Sequence, residues 1–246
     1  MNILQVNKVS KYFGALGALE DVTITVKQGE IVGLVGPNGS GKSTLFNVIS
    51  GVDRVTKGDI IFESKNITNL PSPAICRLGI GRTFQIVRPF LKLSVLENVM
   101  VGKYFGHPGK KGKFTQIKDK AIELLEFVNL ADKKGAYPAN LTLADRKKLE
   151  IARALATSPK LLLLDEVASG LNEKEVEEVV NLIHEINKEW KITLIVVEHV
   201  MSMIMKISDR IIVLSSGKKI ADGAPSEVVN DKEVIEVYLG EPISQQ

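Results

Sequence analysis

The eight residues Gly36-Pro-Asn-Gly-Ser-Gly-Lys-Ser43 follow the spacing G-x-x-x-x-G-K-[ST]. Each residue type in that spacing has a chemical reason. Gly36, Gly39 and Gly41 let the backbone curl until consecutive N–H groups point inward at an anion. Pro37, Asn38 and Ser40 make up the rest of the turn, and Thr44 follows it. A helix that starts near Lys42 aims its positive end at the same place. The Lys42 ammonium is suited to bridge the β- and γ-phosphates of a nucleotide, and the Ser43 hydroxyl to ligate Mg²⁺. The spacing therefore predicts a nucleoside-triphosphate site, provided that a strand precedes it and a helix follows.

Two carboxylates and a histidine could turn such a site into a hydrolytic one. Leu161-Leu-Leu-Leu-Asp165 reads as an apolar strand that delivers a carboxylate to its C-terminal end. In open α/β sheets ligands bind at that edge. Asp165 is placed to serve the Mg²⁺ shell. Glu166, one residue on, points elsewhere and can orient or activate an attacking water. An apolar run ending in Asp-Glu is common in itself, and it gains meaning from the phosphate-binding loop. His199 follows another apolar run, 192–197, and its place at the same edge favours contact with the γ-phosphate over a structural role. The expected catalytic set is Lys42, Glu166 and His199. His107, in a glycine- and lysine-rich stretch, and His184, on an amphipathic helix, read as surface residues.

The elements that must position these groups are legible in outline. Leu4, Val6 and Val9, then Val22, Ile24 and Val26, alternate as strands of a small antiparallel sheet that ends at Gly29. Ile31–Val35 is short and nearly all apolar, as expected of a parallel strand covered on both faces. A helix is predicted over about Lys42–Ile49 and a strand over 59–62. Residues 91–156 read as mostly helical, with Ala121, Leu124, Leu125 and Val128 at helical spacing. Within that stretch residues 102–113 read as an exposed loop. Strands at 161–164, 192–197 and 211–214 alternate with a helix at 173–189, which predicts an α/β fold with a parallel sheet. The tail holds an amphipathic segment, 227–239, expected to pack on the core. The expected organisation is one domain. Residues 1–30 and about 58–70 form an antiparallel β subdomain, 31–90 and 157–222 a nucleotide-binding core, 91–156 an inserted helical subdomain, and 223–246 a tail.

The totals exclude several classes. The chain has 246 residues, 44% apolar and 25% charged, with a net charge of +3. So small an excess does not mark a nucleic-acid binder. The single Cys76 cannot form an intrachain disulfide and suits a reducing setting. Residues 1–8 lack a basic segment followed by an apolar core, so no secretory signal is expected. No apolar run approaches the ~20 residues that span a bilayer. If the protein works at a membrane, other chains supply the spanning part.

In this order, the motifs resemble the ABC ATPase family over almost the whole chain. The resemblance implies a P-loop NTPase core and further site residues. Phe13, before Gly14, looks like the aromatic that stacks on adenine. Gln85 looks like the glutamine that joins the core to the helical lobe and senses Mg²⁺ and the transporter partner. With Ser43 and Asp165 it makes up the expected metal set. Ser169, Gly170, Leu171 and Asn172 resemble the loop that crosses the dimer interface. Finer text looks like the ATPases of branched-chain amino acid importers: Arg82-Thr-Phe-Gln85, Arg88-Pro-Phe90, Val95-Leu-Glu-Asn-Val99, Leu149-Glu-Ile-Ala-Arg-Ala-Leu-Ala156, Val197-Glu-His-Val-Met201 and Tyr238-Leu-Gly-Glu241. The implied protein hydrolyses ATP with Mg²⁺ at the cytoplasmic face of the membrane. It pairs with a second ATPase subunit, drives transmembrane permease subunits, and serves indirectly an extracytoplasmic substrate-binding protein.

One departure stands out. Where the family usually has Leu-Ser-Gly-Gly-Gln, this chain has Leu141-Thr-Leu-Ala-Asp145. Thr142 can cap the following helix and has capping-box spacing to Asp145. Leu143 and Ala144 replace glycines and reduce backbone freedom. Asp145 adds negative charge near a polyanion, which Arg146, Lys147 and Lys148 are expected to offset. In the family this signature serves the partner's ATP. The expectation is a heterodimer in which this chain's phosphate loop is competent and the partner's site is weak. Val167, where proline is usual, is expected to have only local effects. Alternatives are an ATPase for urea, other amides or lipid, a soluble relative acting in DNA repair or translation, and a nucleotide-gated regulator without turnover.

Overall fold

The computed structural model describes residues 1–85, 88–106 and 113–239. His107, most of the glycine–lysine stretch and the end of the Tyr238-Leu-Gly-Glu241 text lie outside the described residues. Two compact units are present, Met1–Ser72 with Thr193–Gln246, and Pro73–Ile192.

The first unit opens with a long hairpin, β1 (Asn2–Phe13) and β2 (Leu16–Lys27). Val6 pairs with Ile24 and Val9 with Val22, so the alternating apolar residues share a face. Leu4, Val6, Val9, Leu19 and Val26 are fully buried on it. After β3 (Ile31–Val35) and α1 (Lys42–Ile49), β4 (Lys57–Phe62) returns beside β1 and carries the short β5 (Lys65–Asn66). The result is a four-stranded antiparallel sheet in the order β2-β1-β4-β5.

The second unit begins with α2 (Ser72–Leu78) and β6 (Ile80–Arg82). Next come α3 (Val95–Phe105), α4 (Phe114–Phe127), 3-10 turns at Ala131–Lys133 and Pro138–Asn140, and α5 (Leu143–Ala156). The unit continues with β7 (Leu161–Asp165), parallel to β6 with Arg82 opposite Leu163, and α6 (Glu173–Trp190). On α4, Ile117, Ala121, Leu124 and Leu125 are buried, the stripe that the 3.6-residue period dictates.

The exposed loop expected over 102–113 is not what the described residues show at its start. Helix α3 runs through Gly102 to Phe105. A Cβ on Gly102 would come within 2.5 Å of the Arg153 carbonyl, and one on Gly106 within 2.6 Å of Thr157 Cα. These glycines let α3 press against the end of α5. They are contact residues of a helix pair, which composition alone reads as loop.

The chain then completes the first unit. β8 (Thr193–Val197) and β9 (Arg210–Ser215) flank β3 in parallel, and β10 (Lys218–Gly223) adds an antiparallel edge to β9. Helix α7 (Met201–Ile207) lies between β8 and β9. All five residues of β3 and all five of β8 are buried, as their continuous apolar runs require. Fully burying one such side chain contributes roughly 1.5–3 kcal/mol. Arg210 ties the sheet's lower end together, binding Glu30 at 2.7 Å and Asp222 at 2.5 Å. The amphipathic tail is two helices, α8 (Pro225–Val228) and α9 (Lys232–Leu239), anchored by buried Val228 and Val234.

Candidate functional site

In the first unit β3 leads directly into the glycine-rich loop of residues 36–43. Gly36 has φ 150°, and a Cβ there would lie 2.1 Å from the Leu214 carbonyl oxygen, so the chain can turn at this point only with glycine. The Ser40 N–H donates to the Pro37 carbonyl at 3.2 Å, and the Ser40 carbonyl accepts from the Gly217 N–H at 3.0 Å. Lys42 is buried, and its ammonium donates to the carbonyls of Gly36 at 2.7 Å and Pro37 at 2.9 Å. The lysine thus braces the curl of its own loop. Asn38, Gly39 and Ser43 are exposed, while Gly41 and Thr44 are half-buried. Leu45, Phe46, Val48 and Ile49 anchor α1 in the core.

The same sheet end carries His199. Val197 pairs with Leu34, so the segment after β8 leaves the sheet beside the segment after β3. His199 follows there and is exposed. Phe13 ends β1 with 48% of its surface exposed, and the Lys11 ammonium lies 4.5 Å from its ring centroid. Sequence reasoning did not anticipate Tyr238 of α9, whose hydroxyl meets the backbone of Gly36 and is pushed up in pKa by burial.

In the second unit β7 delivers Asp165, which is 3% exposed. Arg82 Nη2 donates to Asp165 Oδ2 at 3.1 Å, and the Asp165 N–H donates to Thr83 Oγ1 at 3.0 Å. Burial pushes the Asp165 carboxyl above the usual carboxylate range, with Arg82 pulling down and Glu166 pushing up. Its Oδ1 is buried and has no hydrogen-bond partner among the described residues. A buried acceptor in that position fits a cation or its water shell.

Glu166 follows with φ 49°, a left-handed conformation unusual for a residue with a side chain. Gln85 Nε2 donates to Glu166 Oε2 at 2.8 Å. The structure thus brings Gln85, Asp165 and Glu166 together. Arg82, Thr83 and Lys147 also belong to this group; Lys147 Nζ donates to the Glu166 carbonyl at 2.6 Å. The only trace of Arg82 and Thr83 in the sequence is their place beside Gln85. Val167 is buried in the same turn.

At the altered signature, Thr142 caps α5, its hydroxyl accepting the Asp145 N–H at 3.2 Å. The Asp145 carboxylate also takes the Lys133 ammonium, at 2.7 Å from Oδ2. The cations expected to offset Asp145 go elsewhere. Arg146 donates to the carbonyls of Pro138 and Ala139, Lys147 to that of Glu166, and Lys148 to the Glu178 carboxylate. Leu143 is exposed and Ala144 buried. Ser169 and Gly170 are exposed and Leu171 half-buried. Asn172 caps α6 in a reciprocal box with Glu175, both bonds 3.0 Å.

Comparison with known proteins bears on this arrangement. Residues 19–169 match the model of the ABC transporter family. The chain belongs to that family. A second model, for branched-chain amino acid ATP-binding cassette transporters, matches residues 218–243 of the cassette. The cassette is 38% identical over 97% of its length, and 98% of the relative's, to the high-affinity branched-chain amino acid transport ATP-binding protein LivG of Salmonella typhimurium. Among solved structures it is similar to a nucleotide-free ATP-binding cassette from an ABC transporter, with TM-score 0.89, 34% identity, and coverage of 98% of this chain and 100% of the other. It is also similar to the dimeric post-hydrolysis state of an ATP-binding cassette bound to ADP and Pi. That match has TM-score 0.82, 28% identity, and coverage of 90% and 98%. The fold is that of the ABC ATPase cassette, with an antiparallel N-terminal sheet and a mostly parallel one. The cassette binds and hydrolyses ATP in a reaction coupled to transport, and cassettes of this family form dimers. No helix among the described residues is long and apolar enough to cross a membrane.

Proposed function

We propose that the cassette energises an importer of branched-chain amino acids, and that Glu166 orients the water that attacks the γ-phosphate. One observation carries the chemistry: the Glu166 carboxylate leaves a left-handed turn and is held by the Gln85 amide at 2.8 Å. A carboxylate both turned and tethered is suited to position a nucleophile. Lys42 and the backbone N–H groups of the loop, Pro37 excepted, hold the phosphates with Thr44 at its end, His199 meets the γ-phosphate, and Phe13 stacks on adenine. The cargo reading rests on the likeness to LivG along almost the whole chain and on the match at residues 218–243.

Asp165 and Gln85 are the residues assigned to Mg²⁺, and Ser43 joins them on the sequence pattern. The partnerless Oδ1 of Asp165 supports this assignment. When bound, the ion neutralises charge on the transferring phosphoryl group. The chain's own groups do the rest. Gln85 and the turn at Glu166 aim the carboxylate, Lys42 meets developing charge, and Arg82 and Thr83 hold Asp165 in place.

Residues 141–145 serve the ATP of a second cassette, and residues 169–172 cross to it. The pair docks on permease subunits at the cytoplasmic face of the membrane, fed by an extracytoplasmic binding protein. Nucleic acid has no part in this reading. A heterodimer suits a complete hydrolytic set beside a signature without glycines. Mutating the two subunits' glutamates separately tests it, since equal losses would exclude asymmetry.

The main test is ATPase activity and solute uptake of the complex reconstituted with its membrane subunits. Glu166→Gln should lose about 10²–10⁴ in turnover while still binding ATP. Labelled leucine uptake should follow ATP and yield to excess isoleucine or valine. Uptake of another solute alone would overturn the cargo reading. Nucleotide binding without turnover in the wild-type complex would favour a regulator.

A further inference from the structure

The signature helix α5 reaches the Glu166 turn through one side chain. Lys147 is only 5% exposed, and its ammonium donates to the Glu166 carbonyl at 2.6 Å. The same carbonyl accepts the Ser169 N–H at 3.3 Å. The backbone of Glu166 therefore joins α5, which begins in the altered signature, to the segment at residues 169–172. Its carboxylate joins Gln85 at 2.8 Å.

A buried ammonium is costly unless charge and acceptors surround it. Lys147 has both. The Glu166 carbonyl is its close acceptor, and the Asp165 and Glu150 carboxylates feel its charge. A lysine tolerated there only for packing would turn its head to solvent, as long cations usually do. This one turns inward, to a peptide group in a conformation that residues with side chains avoid. Left-handed geometry at Glu166 sets the direction in which its side chain leaves the backbone. Rotation of that peptide would swing the carboxylate off the Gln85 amide.

We propose that Lys147 is a positioning residue for ATP hydrolysis, acting through the Glu166 carbonyl to hold the turn that aims the Glu166 carboxylate. It transmits the placement of α5 to the hydrolytic carboxylate of the same chain. The inference rests on the role assigned to Glu166 above.

The test is a cycle of variants in the full complex with its membrane subunits, read by kcat and KM for ATP and by ADP affinity. Lys147→Met keeps the apolar stem and removes the donor. It should lower kcat by about 10²-fold, the cost typical of a misplaced reacting group. KM and ADP affinity should change less than about threefold, because the residue acts on a group that binds neither. Lys147→Arg keeps charge and donors and should restore most of the turnover. Lys147→Met added to Glu166→Gln should cost little more than Glu166→Gln alone, because both act through one carboxylate. If Lys147→Met does not fold, Lys147→Gln, too short to reach the carbonyl, should give the same pattern. Near-normal kcat in the Met or Gln variant would overturn the proposal. So would losses that multiply in full with that of Glu166→Gln, or a fall in ADP affinity that matches the fall in kcat. Wild-type turnover in Glu166→Gln alone would overturn the reading of Glu166, and this inference with it.

Discussion

Arg146, Lys147 and Lys148 are neighbours in sequence but leave α5 about 100° apart. Each therefore meets a different partner. The charge of Asp145 is balanced by Lys133, from a 3-10 turn before the helix. Burial pushes the Asp145 carboxyl up, but the Lys133 ammonium and the hydroxyl and N–H bonds around Thr142 outweigh it, and its pKa falls below the ordinary value. The sign of the pH effect follows. The pair's stabilisation is complete above the pKa of an unfolded aspartate, about 3.9. It is lost as pH falls through the lower folded value. Lys133→Met should be less stable than wild type at neutral pH, and the two should converge in acid. Urea midpoints measured across that range check this. The curl of residues 36–43 was legible because its residues are consecutive and its geometry is local. Lys133, Arg82 and Lys147 were not, because each finds its partner only after the chain has folded back.

At the scale of elements, apolar runs located β3, β7 and β8 almost to the residue, since a strand buried on both faces has no other pattern. Helix α3 was misjudged at its C-terminal end for an equally physical reason. Glycine lowers helix propensity, so Gly102 and Gly106 read as loop. What sequence alone does not display is the neighbour that needs a missing Cβ. Gly102→Ala should therefore destabilise the protein even though alanine favours helix. A Cβ within 2.5 Å of the Arg153 carbonyl forces α3 and α5 apart, an overpacking cost of about 1–3 kcal/mol measurable by chemical denaturation. The tail shows the same limit. Its amphipathic pattern was visible, but the break between α8 and α9, and the reach of Tyr238 to Gly36, depend on the sheet beneath them.

For the molecule as a whole, a loop braced by its own lysine has consequences for stability as well as for binding. Nucleotide that binds only the folded chain stabilises it by about 2.7 kcal/mol at a hundredfold excess over Kd. For a chain of this size that raises Tm by roughly 5–10 °C. ADP should give this shift in the wild-type protein. Lys42→Ala should abolish it, and should also lower the Tm without ligand, because the Gly36 and Pro37 carbonyls each lose the lysine as a donor. Scanning fluorimetry with and without ADP separates the two effects. A variant with unchanged ligand-free Tm would show that the brace does not contribute to the fold.

The left-handed backbone at Glu166 separates the needs of folding from those of chemistry. Glycine adopts that conformation without the cost of about 1–2 kcal/mol borne by other residues. Glu166→Gly should therefore leave Tm unchanged or higher while turnover collapses. In evolutionary terms, foldability does not protect this carboxylate, and only selection on transport keeps it. A duplicated subunit freed from that selection can lose its activity in one substitution and remain a sound structural partner.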